Sequence, residues 1–192
     1  MKKICLALAA CATLGTSFAA AANEHTLSLG YAQSKILDSR PKGANLKYRY
    51  EGESPVGIIT SMTFMGSNDS YSAFDPKQNY RTGEEKEKFR YLSLAAGPAF
   101  RFNEFISIYG LAGVNFNKLD YNRKAYDKTG KVIRENQANY KNTSLMYGAG
   151  VQFNPTSNLT LDVGYEGSHF KASDNHKSLA INGFNAGVGY RF

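Results

Sequence analysis

Apolar and polar residues alternate along this chain in short bursts, separated by polar stretches of unequal length. Between Glu24 and Ser34, Leu27, Leu29 and Tyr31 interleave with Thr26, Ser28, Gly30 and Ala32. That period of two gives a β-strand one greasy and one polar face. From Ala44 to Glu51, Leu46, Tyr48 and Tyr50 stand against Asn45, Lys47, Arg49 and Glu51. A third strand carries Val56, Ile58, Thr60, Met62 and Phe64 on one face, and a fourth carries Leu92, Leu94, Ala96, Pro98, Phe100 and Phe102. A fifth carries Ile106, Ile108, Ala112, Val114 and Phe116, and a sixth Leu145, Tyr147, Ala149, Val151 and Phe153. The seventh sets Leu159, Leu161, Val163 and Tyr165 against Thr160, Asp162, Gly164 and Glu166. The last ends the chain with Phe184, Ala186, Val188, Tyr190 and Phe192 on its apolar face and Arg191 on the other.

The connections alternate in length. Gly52 to Pro55, Asn103-Glu104 and Asn154 to Asn158 are tight turns, whereas the stretch after Ser34, Gly66 to Lys88, Asn117 to Asn142 and Ser168 to Ser178 are long and polar. Eight strands joined by four long connections and three short turns predict an all-β fold, an up-and-down antiparallel transmembrane barrel with extracellular loops and periplasmic turns. Tyr50, Phe102, Phe105, Phe153, Tyr190 and Phe192 fall beside the short-turn ends or the C-terminus, where an aromatic girdle belongs. Register is forced in the second strand, because a slip of one would turn Lys47 and Arg49 to lipid at roughly 2 to 4 kcal/mol each near the midplane. A mean hydropathy of −0.42 does not argue otherwise, since alternating strands hide from averaging.

The chain opens with Lys2, Lys3 and an apolar run from Ile4 to Phe18, closed by the small residues Ala19 to Ala22. This is read as a secretory signal peptide over residues 1–22, cut after Ala19 or Ala22, leaving one domain over 23–192. Cys5 and Cys11 lie in that segment, so the exported chain is thiol-free and offers no disulfide or cysteine nucleophile. Losing Lys2 and Lys3 takes the formal charge from +7 to +5. A basic exported protein meets anionic lipid, sulfated glycan or acidic protein rather than nucleic acid.

Several segments resemble a known family: LGYAQSK (Leu29 to Lys35), LKYRYE (Leu46 to Glu51), AAGPAFR (Ala95 to Arg101), SIYGLAGV (Ser107 to Val114), YGAGVQFNP (Tyr147 to Pro155), LDVGYEGS (Leu161 to Ser168) and GFNAGVGYRF (Gly183 to Phe192). They look like the OmpX/Ail/PagC/Lom family of enterobacterial outer-membrane proteins. The resemblance implies an eight-stranded barrel whose surface loops carry the activity, some members mediating host-cell attachment, invasion or serum (complement) resistance. A terminal Phe192 with Tyr190 before it also resembles the signal read by the barrel assembly machinery.

Candidate chemistry divides between lumen and loops. Lys47, Arg49, Arg101 and Arg191 face Glu51, Asp162 and Glu166 inside a barrel narrow enough to be filled by side chains, which favours a plug over an ion path. Asn117 to Asn142 has a local excess of positive charge, and Arg123, Lys124, Lys128, Lys131 and Arg134 are its candidate ligand-binding residues, joined by Lys35, Arg40 and Lys42 from the first loop. Asp127-Lys128-Thr129-Gly130 reads as the tip of a hairpin that continues the fifth and sixth strands above the membrane. Its basic residues suit anionic glycan or acidic protein, its edge suits strand addition, and the same charges suit lipopolysaccharide phosphates.

A surface adhesin is therefore expected, acting as a monomer on host extracellular-matrix or complement-regulatory proteins. The alternative is an envelope protein that stabilises lipopolysaccharide packing. A lipid A-modifying enzyme built on His176, Ser178 and Glu166 is a remote third reading, because His-x-Ser arises by chance in polar loops. No metal, cofactor or catalytic residue is assigned; His25, His169 and His176 are too scattered for metal ligation.

Overall fold

The computed structural model describes residues 24–36, 39–75, 80–171 and 178–192. Residues 1–22, read above as a signal segment, and His176 lie outside them. Eight strands follow one another: β1 (Glu24–Lys35), β2 (Lys42–Glu51), β3 (Val56–Asp75), β4 (Tyr80–Arg101), β5 (Ile106–Tyr126), β6 (Val132–Phe153), β7 (Leu159–Lys171) and β8 (Ser178–Arg191). Each pairs antiparallel with its chain neighbour, and β1 pairs β8 through Leu27↔Tyr190 and Leu29↔Val188, closing the barrel. Closure leaves no open edge in the hydrocarbon layer, where an unpaired N–H or C=O would cost several kcal/mol.

Alternation decides the faces as the sequence pattern predicts. Val56, Ile58, Met62, Phe64, Leu145, Val163, Phe184 and Val188 point outward and are exposed, forming the belt that meets lipid. Thr26, Ser28, Lys47, Arg49, Ser93, Gln152, Thr160 and Asp162 point inward and are buried. At the short-turn end His25 stacks on Phe192 (centroids 5.6 Å apart) and lies tilted against Tyr50 (5.3 Å), so an outward histidine joins the aromatic girdle.

The sequence reads Gly66 to Lys88 as a polar connection, which the structure changes. It also expects the hairpin that continues β5 and β6 to a tip at Asp127 to Gly130, which the structure bears out. Gly66 to Lys88 and Asn117 to Asn142 are mostly strand: β3 and β4 stay paired from Gly66↔Arg90 to Asp75↔Tyr80, and β5 and β6 from Asn117↔Asn142 to Tyr126↔Val132. The partners on either flank stop earlier, β2 at Lys42↔Gly66 and β7 at Met146↔Ser168. A four-stranded sheet therefore rises above the barrel by roughly 30 Å along the strands, at about 3.3 Å per residue. Water wets both its faces, so no greasy period marks it in sequence. The first connection is short, with Ile36 bridging Ser39 between β1 and β2.

Two apolar layers fill the lumen around polar chemistry. Toward the short turns, Ile59, Ala99, Tyr109 and Leu111 pack together; toward the surface, Ala32, Ile36, Met65, Phe89, Tyr91, Phe170 and Ile181 form a lid. Tyr109 fits because glycine lies beneath it: a Cβ on Gly150 would come within 2.2 Å of its hydroxyl, and one on Gly164 within 2.5 Å.

Candidate functional site

The lumen holds two polar groups. In the middle, Lys47 from β2 ion-pairs with Asp162 from β7, donates to Asn185 Oδ1 at 2.5 Å, and lies 5.3 Å from the Tyr109 ring centroid. The Tyr109 hydroxyl donates to Asp162 Oδ1 at 3.1 Å. Above it, Glu166 accepts from Thr63 (2.7 Å), Ser93 (3.3 Å), Asn185 Nδ2 (3.3 Å) and Asn45 Nδ2 (3.5 Å).

At the short-turn mouth, charges alternate in a chain of Arg49, Glu51, Arg101, Glu24 and Arg191. Arg49 pairs with Glu51, Arg101 Nε lies 2.7 Å from Glu51 Oε1, Arg101 also reaches Glu24 at 3.3 Å, and Arg191 pairs with Glu24. Sequence reading missed Glu24, the acid that joins β1 to β4 and β8. Nothing local marks it, since its partners lie 77 and 167 residues away. With Glu24, four cations face four acids among the described residues of the lumen, so their charge is balanced. The arrangement fills space and neutralises itself, and the aromatic lid stands between it and the outside.

The basic loop candidates are not all brought together. Lys35, Arg40 and Lys42 lie at the rim beside the β1–β2 connection, across the ring from β5 and β6. On the raised sheet, Arg123 pairs Asn136 and Arg134 pairs Ala125, so both arginines share the face that continues the lumen wall. Lys124 lies on the opposite face, 3.5 Å from Glu135. Lys128 and Lys131 occupy the tip. Asp127 shapes that tip: its carboxylate accepts from Thr129 Oγ1 (2.7 Å), Thr129 N (2.8 Å) and Lys131 N (2.9 Å), while Gly130 takes φ +79°. These bonds hold the Asp127 carboxyl below the usual carboxylate range.

One cationic feature emerges only from register. Arg90 of β4, Lys118 of β5 and Lys141 of β6 are successive cross-strand partners on the outward face. They line a groove of ≈ 310 Å³ together with Phe64, Leu92 and Phe116, the last lipid-facing side chains below them. Like charges directly opposite one another are unfavourable, so this row favours an anion. Among the described residues no group of three or more His, Cys, Asp or Glu could hold a metal ion.

The family described as Enterobacterial Ail/Lom protein matches residues 1–192. The Virulence membrane protein PagC of Salmonella typhimurium is 40% identical over 175 residues, covering 90% of this chain and 89% of that one. Outer membrane protein X of Escherichia coli K12 is 39% identical over 199 residues, covering 100% of both. The crystal structure of Ail, the attachment invasion locus protein of Yersinia pestis, in complex with the heparin analogue sucrose octasulfate superposes with a TM-score of 0.63 at 34% identity, covering 88% of this chain and 99% of that one. A match along the whole chain, joined to a closed eight-stranded barrel, makes this protein a member of the enterobacterial Ail/Lom family, a virulence-associated β-barrel of the outer membrane.

Proposed function

We propose that the protein is a surface adhesin that binds sulfated glycan of host matrix and cell surfaces through the tip of the β5–β6 hairpin. The observation that carries this is the placement of Arg123, Lys124 and Arg134 on strands that outrun their neighbours into solvent, with Lys128 and Lys131 at the turn that joins them. A heparin analogue bound to the Yersinia pestis relative supports the same ligand class. Recognition here is electrostatic, so it weakens with salt. Binding to matrix or complement-regulatory glycoproteins, and serum resistance with it, would follow from the same surface. The protein acts as a monomer, inserted by the barrel assembly machinery through its C-terminal aromatic signal. It works by binding and not by catalysis, a reading supported by the engagement of Glu166 with lumen donors.

The test is retention of nanodisc-embedded protein on immobilised heparin, comparing wild type with a variant carrying Arg123→Gln, Lys124→Gln, Lys128→Gln, Lys131→Gln and Arg134→Gln. Heat-modifiable gel migration verifies the barrel in both. Affinity should fall about tenfold or more, five exposed contacts of a few tenths of a kcal/mol each adding up. Equal retention would refute the assignment.

A second reading rests on the Arg90, Lys118 and Lys141 row: those residues hold lipopolysaccharide phosphates and the protein stiffens the envelope. Replacing the three by Gln should then make cells detergent-sensitive while leaving heparin retention unchanged.

A further inference from the structure

The lumen charges balance as a whole but not locally. At the short-turn mouth three arginines, Arg49, Arg101 and Arg191, share two acids, Glu51 and Glu24, which leaves one positive charge in surplus. Water reaches that surplus, because the Glu24 and Arg101 side chains are 42% and 28% exposed. Farther up, Lys47 is matched with Asp162, and Glu166 takes part in no ion pair among the described residues. One negative charge is therefore in surplus in the buried middle of the barrel, where solvent screens little and a charge needs a partner.

Glu166 is itself only 5% exposed. Its hydrogen-bond partners donate to it, and two of them, Asn45 Nδ2 and Asn185 Nδ2, are amide nitrogens that cannot accept a carboxyl proton. Such surroundings suit an ionised carboxylate. Asn185 bridges the two groups, its Oδ1 accepting from Lys47 and its Nδ2 donating to Glu166. Between Glu166 and the aromatic lid lies a cavity of ≈ 10 Å³, whose wall includes Ser34, Thr63, Met65, Tyr91 and Ile181. That volume admits one body the size of a water molecule. Ser34 stands in the wall 3% exposed, and its hydroxyl has no hydrogen-bond partner among the described residues.

We infer that this cavity is a binding site for one sodium-sized monovalent cation, held by the Glu166 carboxylate and the hydroxyl oxygens of Ser34 and Thr63. Charge and size together select this occupant. A water molecule would fill the space but leave the surplus charge where it is. A single carboxylate matches a single positive charge, whereas calcium takes about six to eight oxygens and magnesium keeps several of its waters, for which a cavity of this size has no room. Thr63 donates its proton to Glu166 at 2.7 Å, so its oxygen keeps lone pairs for the cation. The Ser34 oxygen is uncommitted. The cation cancels the surplus charge and ties β1, β3 and β7 together beneath the lid.

The test is urea unfolding of the full protein in vesicles of zwitterionic lipid, with sodium chloride exchanged for choline chloride at constant ionic strength and pH. The folding equilibrium constant of wild type should rise with sodium along a one-site saturation curve, by about tenfold once sodium reaches ten times its dissociation constant. Glu166→Gln removes the charge and should abolish the dependence. Ser34→Ala keeps the carboxylate but loses one ligand, and should need several-fold more sodium for the same gain; it decides alone if Glu166→Gln does not fold. Ser28→Ala, which removes another buried hydroxyl away from the cavity, should follow the wild-type curve. Equal wild-type stability in the two salts, or a sodium dependence undiminished in either site variant, would overturn the proposal. So would a wild-type folding constant that falls as pH rises equally in both salts, the mark of a proton on Glu166 in place of the cation.

Discussion

Replacing Lys47 by Met tests whether the lumen network holds the barrel together. Lys47 and Asp162 are joined across the lumen from β2 and β7, with side chains only 1% exposed. Removing the ammonium leaves Asp162 with the Tyr109 hydroxyl as its donor and takes a donor from Asn185. Breaking a buried pair from one side costs about 3 to 5 kcal/mol, because the remaining charge is uncompensated. Asp162→Asn alone strands Lys47 in the same way, but leaves it Asn185 Oδ1 as an acceptor and the Tyr109 ring nearby, so the cost should lie at the lower end of that range. The double variant Lys47→Met with Asp162→Asn removes both charges and keeps an acceptor for Tyr109; it should recover to within about 1 to 2 kcal/mol of wild type. Urea unfolding in lipid vesicles, followed by circular dichroism and by the fraction migrating as folded barrel on gels, measures all four proteins. A loss below about 1 kcal/mol for Lys47→Met, or a double variant as unstable as the two singles summed, would refute the reasoning.

The same unfolding assay applies to Gly150→Ala. Its Cβ would meet the Tyr109 hydroxyl and the Val163 carbonyl, at 2.2 and 2.6 Å, and overpacking of this kind should cost about 1 to 3 kcal/mol. At the hairpin tip the Asp127 carboxyl is held low by its three hydrogen bonds. A depressed carboxylate stabilises above its unfolded value, and that contribution disappears as pH falls through the folded one. Amide exchange at Thr129 and Lys131 should therefore speed up, relative to the intrinsic rate, as pH drops through the acid range, and in Asp127→Asn this pH dependence should vanish.

Much of the barrel is legible in the chain because the bilayer leaves so little choice. A strand between lipid and lumen must alternate, so Leu46, Tyr48 and Tyr50 against Lys47, Arg49 and Glu51 permit one register and one orientation. The raised sheet is less legible for the converse reason. With water on both faces, Lys86 and Glu87 or Lys124 and Ala125 follow no apolar period, and the strands there show themselves in the pairing of β3 with β4, β4 with β5 and β5 with β6. The basic candidates suffered similarly: Arg123 and Lys124 are neighbours in sequence and stand on opposite faces, whereas Arg90, Lys118 and Lys141 are far apart in sequence and stand side by side.

By itself, then, the sequence determined the strand number, the lipid-facing set and most of the charges destined for the lumen. Those depend on local periodicity and on the low dielectric of the membrane, which act residue by residue. Closing the ring decided the rest: that Glu24 completes the Arg101 and Arg191 pairs, that Tyr109 lies over Gly150 and Gly164, and that Arg90, Lys118 and Lys141 form one row across three strands. Each depends on which strands become neighbours and at what stagger, and only the tertiary structure sets those distances.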